Sequence, residues 1–379
     1  MKTFFFRPRQ TALRRVMFQI HLWAGLGLGL WLAVVSVTGV ILLFKEESLA
    51  LVYPHLYKVG KPGAPNVSVD TIIKSVTSNY PGHRIRRIDA PTSGRDSYLI
   101  MALHDGAYHQ IFLHPVTGAI LGKLPKPNFM SFLEDLHGNL LAGRPGRIID
   151  CTLALLALLL VGAGVIVWWP GVKGWWKALG LTIRGGITTR TLHSTIGIWT
   201  FAFVAMFAAT GSLYYYSSIA YRVLARVSHL SNPPVYYSDV QSRGAARSPD
   251  IQPLIDYARK LSPDRQLWGV YLPMSEKSAI RAVFGPVGEE IGRDRWEWNE
   301  DGQRNFYFDQ YSGKLLRQWD TKHDTISDLV RSWQTKLHTG DFGGVGVRTL
   351  WVITGSAPVA LFVLGAMMWW RRVVRPRRV

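Results

Sequence analysis

Four stretches of this chain contain no Lys, Arg, Asp or Glu. They lie between Arg15 and Lys45, Asp150 and Lys173, Arg190 and Arg222, and Arg348 and Arg371. A bilayer core of about 30 Å is crossed by roughly 20 helical residues, and a spanning helix satisfies its own backbone. The pattern predicts transmembrane helices at 16–44, 147–172, 191–217 and 347–370. A cleavable signal peptide is the alternative for the first. Its apolar region, however, runs only ~7–15 residues, whereas this run is longer and closes on Lys45-Glu46-Glu47.

The formal charge of +19 invites a nucleic-acid reading, but its distribution argues against one. Segments 1–15, 173–190 and 371–379 carry five, four and five Lys or Arg and no acid. That is the positive-inside pattern. All 25 acids fall between Lys45 and Lys173 or between Arg222 and Arg348. Both termini and the loop 173–190 are therefore expected in the cytoplasm, with the long loops outward. Trp168-Trp169 and Trp369-Trp370 mark the cytoplasmic interface, where amphipathic rings gather. Cys151 is the single cysteine and no Cys-x-x-Cys-His occurs, so a haem here would be held without covalent attachment.

Two of the spans open and close alike. His21, Gly25, Thr38 and Gly39 recur as His193, Gly197, Thr210 and Gly211, all at an offset of 172 residues. The outer loops end on amphipathic stretches, Phe129–Leu141 and Ile326–Thr339, with His137 and His338. An offset of 201 carries His137 to His338, Gly143 to Gly344, Arg147 to Arg348 and Gly164 to Gly365. Between span and histidine, each loop reads as one helix and an antiparallel sheet. The first has a helix at Asp70–Tyr80 and strands at Arg84–Asp89, Ser97–Leu103 and Tyr108–Leu113. The second has a helix at Asp250–Leu261 and strands at Trp268–Leu272, Ser278–Phe284 and Arg304–Phe308. The whole reads as a tandem duplication whose halves pack about an axis along the membrane normal.

A polar imidazole inside a membrane helix lacks water to bond, and so marks a candidate functional site. Topology places His21 with His193 near the cytoplasmic end and His137 with His338 near the outer end. Facing imidazoles on a helix bundle suit the two axial positions of a low-spin haem iron. Gly39 and Gly211 stand eighteen residues beyond His21 and His193, five turns and roughly 27 Å further on the same helix faces. Together with Gly164 and Gly365 they are expected to leave room for two stacked rings. Interface histidines with glycines for close helix packing are the plain alternative. Zinc is the other metal reading, although no third and fourth ligand accompany either pair. Arg147 and Arg348 would meet haem propionates or lipid headgroups, and Glu134 would support His137 or face solvent.

The remaining candidates carry less. His104, His109 and His114 fall on a hairpin and are explained by a partly exposed strand face, with a metal site as the alternative. Trp296, Trp298, Tyr307 and Trp319 read as core packing or a stacking surface. No phosphate-binding loop or dinucleotide fingerprint is present. The cytoplasmic segments are also too short for a flavin or nicotinamide domain, so the expected electron donor is a membrane quinol or a partner reductase.

The His-x3-Gly openings, the turn motifs Pro115-Val-Thr-Gly118-Ala-Ile-Leu and Gln310-Tyr-Ser-Gly313-Lys-Leu-Leu, and the Trp-Trp exits resemble the PepSY-associated transmembrane family over nearly the whole chain. Within it the chain is most similar to the inner-membrane ferric-siderophore reductases of the ferrioxamine type. The resemblance implies a four-helix dihaem bundle with two periplasmic PepSY-like α+β domains, both termini in the cytoplasm of a bacterial cell. It implies two haem b, one on His21 and His193 and one on His137 and His338, with electrons passing to a ferric siderophore. A general electron conduit to another periplasmic acceptor, and a non-enzymatic ligand-binding or transport protein, are the rival expectations.

Overall fold

The computed structural model describes residues 11–59, 66–91, 95–180, 188–229, 236–239, 249–287, 302–320 and 325–373. In chain order its elements begin with helices α1 (Ala12–Leu42), α2 (Lys45–Val52), α3 (Pro54–Tyr57) and α4 (Val69–Asn79). Strands β1 (Arg84–Asp89), β2 (Tyr98–His104), β3 (Ala107–Leu113) and β4 (Ile120–Lys123) follow. Next come α5 (Phe129–Asn139), α6 (Gly143–Trp168), α7 (Trp175–Leu179), α8 (Thr189–Leu224) and α9 (Ile251–Leu261). The chain closes with β5 (Arg265–Tyr271), β6 (Ile280–Pro286), β7 (Arg304–Phe308), β8 (Leu315–Asp320), α10 (Ile326–Thr339) and α11 (Gly344–Val373). Two compact units result. A helical unit comprises Met1–Lys45, Pro127–Val223 and Trp333–Val379, and a sheet unit comprises Glu46–Lys126 and Leu224–Ser332.

In the helical unit, α1, α6, α8 and α11 are each long and apolar enough to cross a membrane. Leu30, Leu159 and Ile353 on three of them are exposed, as surfaces that meet lipid are. All four helices start two to four residues before the expected spans, because a helix continues through the headgroup layer where polar residues are solvated; α8 and α11 also run past the far end, whereas α1 and α6 stop two and four residues short of it. The amphipathic stretch 129–141 belongs to this unit and not to the sheet, where its place in the sequence had put it. It folds as α5 and packs on α1 and α6. The Asn128 side chain accepts from Ser131 N at 2.9 Å and the Ser131 hydroxyl accepts from Asn128 N at 2.8 Å, a capping box that fixes where α5 begins. Leu140 and Leu141 then take left-handed backbone, with φ 52° and 61°, and turn the chain into α6.

The sheet unit departs further from expectation. Instead of two separate domains, one antiparallel sheet runs β4-β3-β2-β1-β5-β6-β7-β8. Each loop supplies a four-stranded meander, and the meanders join where β1 pairs with β5, Ile88 opposite Val270. An unpaired first strand would expose a row of backbone donors and acceptors, and pairing the two edges removes both liabilities. Within the meanders, Gly118 and Gly313 adopt φ of 69° and 71° in the turns before β4 and β8. A side chain at either would be strained, which explains the shared turn motif.

One face of the sheet is apolar and is covered by α4 and α9, which bury Ile72, Val76, Ile255 and Ala258 against Ile100, Ala102, Phe284 and Phe306. The two helices also cap one another. Asp70 accepts from Ile251 N at 2.7 Å and Gln252 N at 2.9 Å, and Gln252 Oε1 accepts from Val69 N at 2.9 Å. Asp70 therefore does for α9 what the α9 N-cap, Asp250, does not. Asp70→Ala is expected to cost about 1–2 kcal/mol. Hydrogen exchange would read it as lost protection at the Ile251 and Gln252 amides. Tyr307 is buried beside Tyr236, ring centres 4.8 Å apart, so it packs inside the unit. Trp296 and Trp298 lie outside the described residues.

Candidate functional site

Each of the four histidines docks on a neighbouring helix in the same way. His21 on α1 has Nδ1 3.1 Å from the Leu160 carbonyl of α6, and His193 on α8 has Nδ1 3.1 Å from the Leu361 carbonyl of α11. His137 on α5 has Nδ1 2.9 Å from the Val35 carbonyl of α1. His338 on α10 bonds the Phe207 carbonyl of α8. These carbonyls are already engaged inside their helices, yet they accept a second bond from outside. The reason lies four residues on, at Gly164, Gly365, Gly39 and Gly211. In an α-helix every Cβ leans toward the N-terminus, so the side chain at i+4 shields the carbonyl at i. Glycine at i+4 opens a notch, and an imidazole edge fills it.

The notch gives these glycines a different neighbour from the one expected. A Cβ built on Gly39 would stand 2.9 Å from His137 Cε1, and on Gly164 2.9 Å from His21 Cε1. At Gly211 the distance to His338 Cε1 is 3.2 Å, and at Gly365 the distance to His193 Cε1 is 3.6 Å. The space serves the docking histidine itself. Spacing along the sequence hid this, because the partner of each glycine sits on another element.

The docking also fixes the tautomer. A carbonyl only accepts, so Nδ1 carries the proton in each ring and Nε2 keeps its lone pair. At one level a hydroxyl joins in. Thr38 Oγ1 lies 3.1 Å from His137 Nδ1, and Thr210 Oγ1 lies 2.9 Å from His338 Nδ1. Burial lowers the pKa of His137; burial and then the neighbouring His137 push His338 down to about 3. Both rings are therefore neutral near pH 7, the form that ligates a metal.

The rings meet in pairs. The ring centres of His21 and His193 are 6.1 Å apart, and those of His137 and His338 are 6.0 Å apart. Two imidazoles on opposite sides of one metal, with metal–nitrogen bonds of about 2.0 Å and nitrogens about 1.1 Å from the ring centres, would stand roughly 6.2 Å apart. A tetrahedral ion would draw them to about 5.1 Å and demand further ligands. The donor set thus fits two axial nitrogens on a haem iron better than zinc. Around the second pair, Phe207 and Tyr214 pack edge-on against His338 at 6.3 and 5.4 Å. Trp351 Nε1 donates to the Leu337 carbonyl at 2.9 Å, tying the residue before His338 to α11. Sequence reasoning missed Trp351, Thr38 and Thr210. The repeated Thr-Gly was the one visible signal, and it was read only as a landmark.

Other candidates stand apart. Arg348 lies over the Phe44 ring at 5.7 Å, and Arg147 is exposed on the second turn of α6. Glu134 forms an ion pair with Lys45 and not with His137, whose Nδ1 is already taken. On the sheet unit, His83 stacks on His104 with ring centres 4.2 Å apart, and His109 lies 5.3 Å from His83. His114 Nδ1 instead accepts from Val116 N at 3.2 Å and closes its own turn. Among the described residues no three His, Cys, Asp or Glu side chains are arranged to hold a metal ion.

A family model described as PepSY-associated TM region matches residues 18–372. With the four long apolar helices, the match makes this a multi-pass membrane protein. The uncharacterized protein PA4219 of Pseudomonas aeruginosa is 28% identical over 140 residues, which is 36% of this chain. The matched region spans about a third of that relative, 34% of its length.

Proposed function

We propose a function for a chain that belongs to the PepSY-associated transmembrane family: it is a b-type dihaem reductase of the bacterial inner membrane, moving electrons outward to ferric siderophores. The observation that carries this is the matched pair of imidazole pairs, each close enough that its two rings would hold one iron between them. The two pairs lie near opposite ends of α1, whose rise from His21 to Gly39 is roughly 27 Å.

Haem b, when bound, supplies a one-electron Fe(III)/Fe(II) couple. The chain supplies the rest. His21 and His193 would hold one haem and His137 and His338 the other, each imidazole oriented by its carbonyl. The apolar walls of α1, α6, α8 and α11 keep water from both centres, and electrons would enter from a membrane quinol or a partner reductase. Both termini would lie in the cytoplasm, a placement the charge distribution supports. The two halves would descend from one duplicated unit, which the shared offsets and the repeated order of elements support. A ferric siderophore is the substrate. Added electron density weakens the hold of hard oxygen ligands on the iron, and Fe(II) leaves more readily.

The purified protein is expected to show a Soret band and a sharp α-band on reduction. Anaerobic mixing of the reduced protein with a ferric trihydroxamate is expected to reoxidise it and yield Fe(II) to a trapping chelator. A colourless preparation would overturn the haem assignment. Rapid reoxidation by other acceptors but by no class of ferric siderophore would leave a general electron conduit.

A further inference from the structure

The two levels of the helical unit are built on one plan, and one of them adds a hydroxyl beside each histidine. At one level the residue before the notch glycine is Ala163 or Leu364; at the other it is Thr38 or Thr210. We propose that Thr38 and Thr210 are positioning residues that set the reduction potential of the centre held by His137 and His338, and of that centre alone. The proposal rests on the haem reading above.

Threonine in a membrane helix commonly bonds its own backbone, and Thr200 and Thr354 do only this in the contacts seen here, at 2.8 Å to Ile196 O and 2.8 Å to Leu350 O. Thr38 and Thr210 do it too. The Thr38 hydroxyl lies 3.0 Å from both Val34 O and Val35 O, and the Thr210 hydroxyl lies 2.7 Å from Met206 O. A hydroxyl has one proton and two lone pairs. With the proton committed to the helix, the oxygen can only accept from the imidazole. Both hydroxyls are buried, and both lie within hydrogen-bond reach of Nδ1. His137 and His338 therefore each have two acceptors around one Nδ1–H, a carbonyl and a hydroxyl. His21 and His193 have the carbonyl.

The consequence is electronic. An acceptor on Nδ1–H makes the imidazole a stronger donor through Nε2 and favours the ferric state, which lowers the potential. Valine keeps the branched shape of threonine and removes the acceptor. Each ring keeps its carbonyl in these variants, so its orientation should hold.

The test is a spectroelectrochemical titration of the full-length protein with haem bound, comparing the parent with Thr38→Val, Thr210→Val and the double variant. The His137→Ala variant identifies which component belongs to this level. The expected result is an upward shift of that component, larger in the double variant, with the other component unmoved and haem content unchanged. Thr38→Ser with Thr210→Ser should return the parent value. An unmoved potential in the double variant, or an equal shift of both components, would overturn the proposal while leaving the haem assignment standing. If the double variant fails to load this level, the two single variants supply the readout. A parent protein without a Soret band would instead overturn the haem reading itself.

Discussion

His338→Ala will yield a protein that loads haem at one level only. The substitution removes one of the two imidazoles proposed to hold that haem and leaves the Phe207 carbonyl and the Thr210 hydroxyl facing a hole. Loss of a supporting hydrogen bond around a metal ligand typically costs roughly 10–100-fold in affinity or activity. Loss of the ligand itself should exceed that, so delivery of electrons to an outside acceptor should fall by more than about 100-fold. A redox titration should resolve one component where the parent shows two, and His193→Ala should remove the other. Persistence of both components in either variant would end the assignment of these residues as ligands.

The second large effect is a graded one. Alanine at the four notch glycines should hurt in the order in which a Cβ would crowd the docked ring. At Gly39 and Gly164 that atom would come within 2.9 Å of an imidazole carbon, a distance real contacts do not tolerate. At Gly211 it is 3.2 Å, and at Gly365 an ordinary 3.6 Å. Overpacking typically costs about 1–3 kcal/mol, whereas Gly→Ala inside a helix returns about 1 kcal/mol. The balance predicts that Gly39→Ala and Gly164→Ala expel His137 and His21 from their notches and empty their respective centres. Gly365→Ala should be close to neutral. Haem stoichiometry per chain, compared across the four variants, tests the order. A uniform effect at all four would mean that the glycines serve helix packing and not the imidazoles.

Much of this was legible in the sequence, for physical reasons. Uncharged stretches as long as those after Arg15 and Arg190 have few places to go but a bilayer, and α1 and α8 lie there. Period-two and period-3.6 patterns located β1, β7 and α10 to the residue. What stayed hidden depends on contacts between distant segments. Nothing local to Gly39 says that His137 will lie against it, or that the carbonyl exposed belongs to Val35. Nothing in Arg84–Asp89 says that its free edge will be taken by Arg265–Tyr271 and not left to solvent. The role of Glu134 turned on Lys45, some ninety residues away. In each case the residue or the element was visible in the sequence, while its partner was set by packing.

Both imidazole pairs take one ring from before residue 173 and one from after residue 188. Cut the polypeptide in the intervening segment and neither fragment keeps both rings of either pair. Fragments made together could reconstitute colour, while either made alone could not. On the haem reading proposed above, cofactor capture would then act as a proofreading step in assembly, since only a molecule whose two parts have found each other would hold the group.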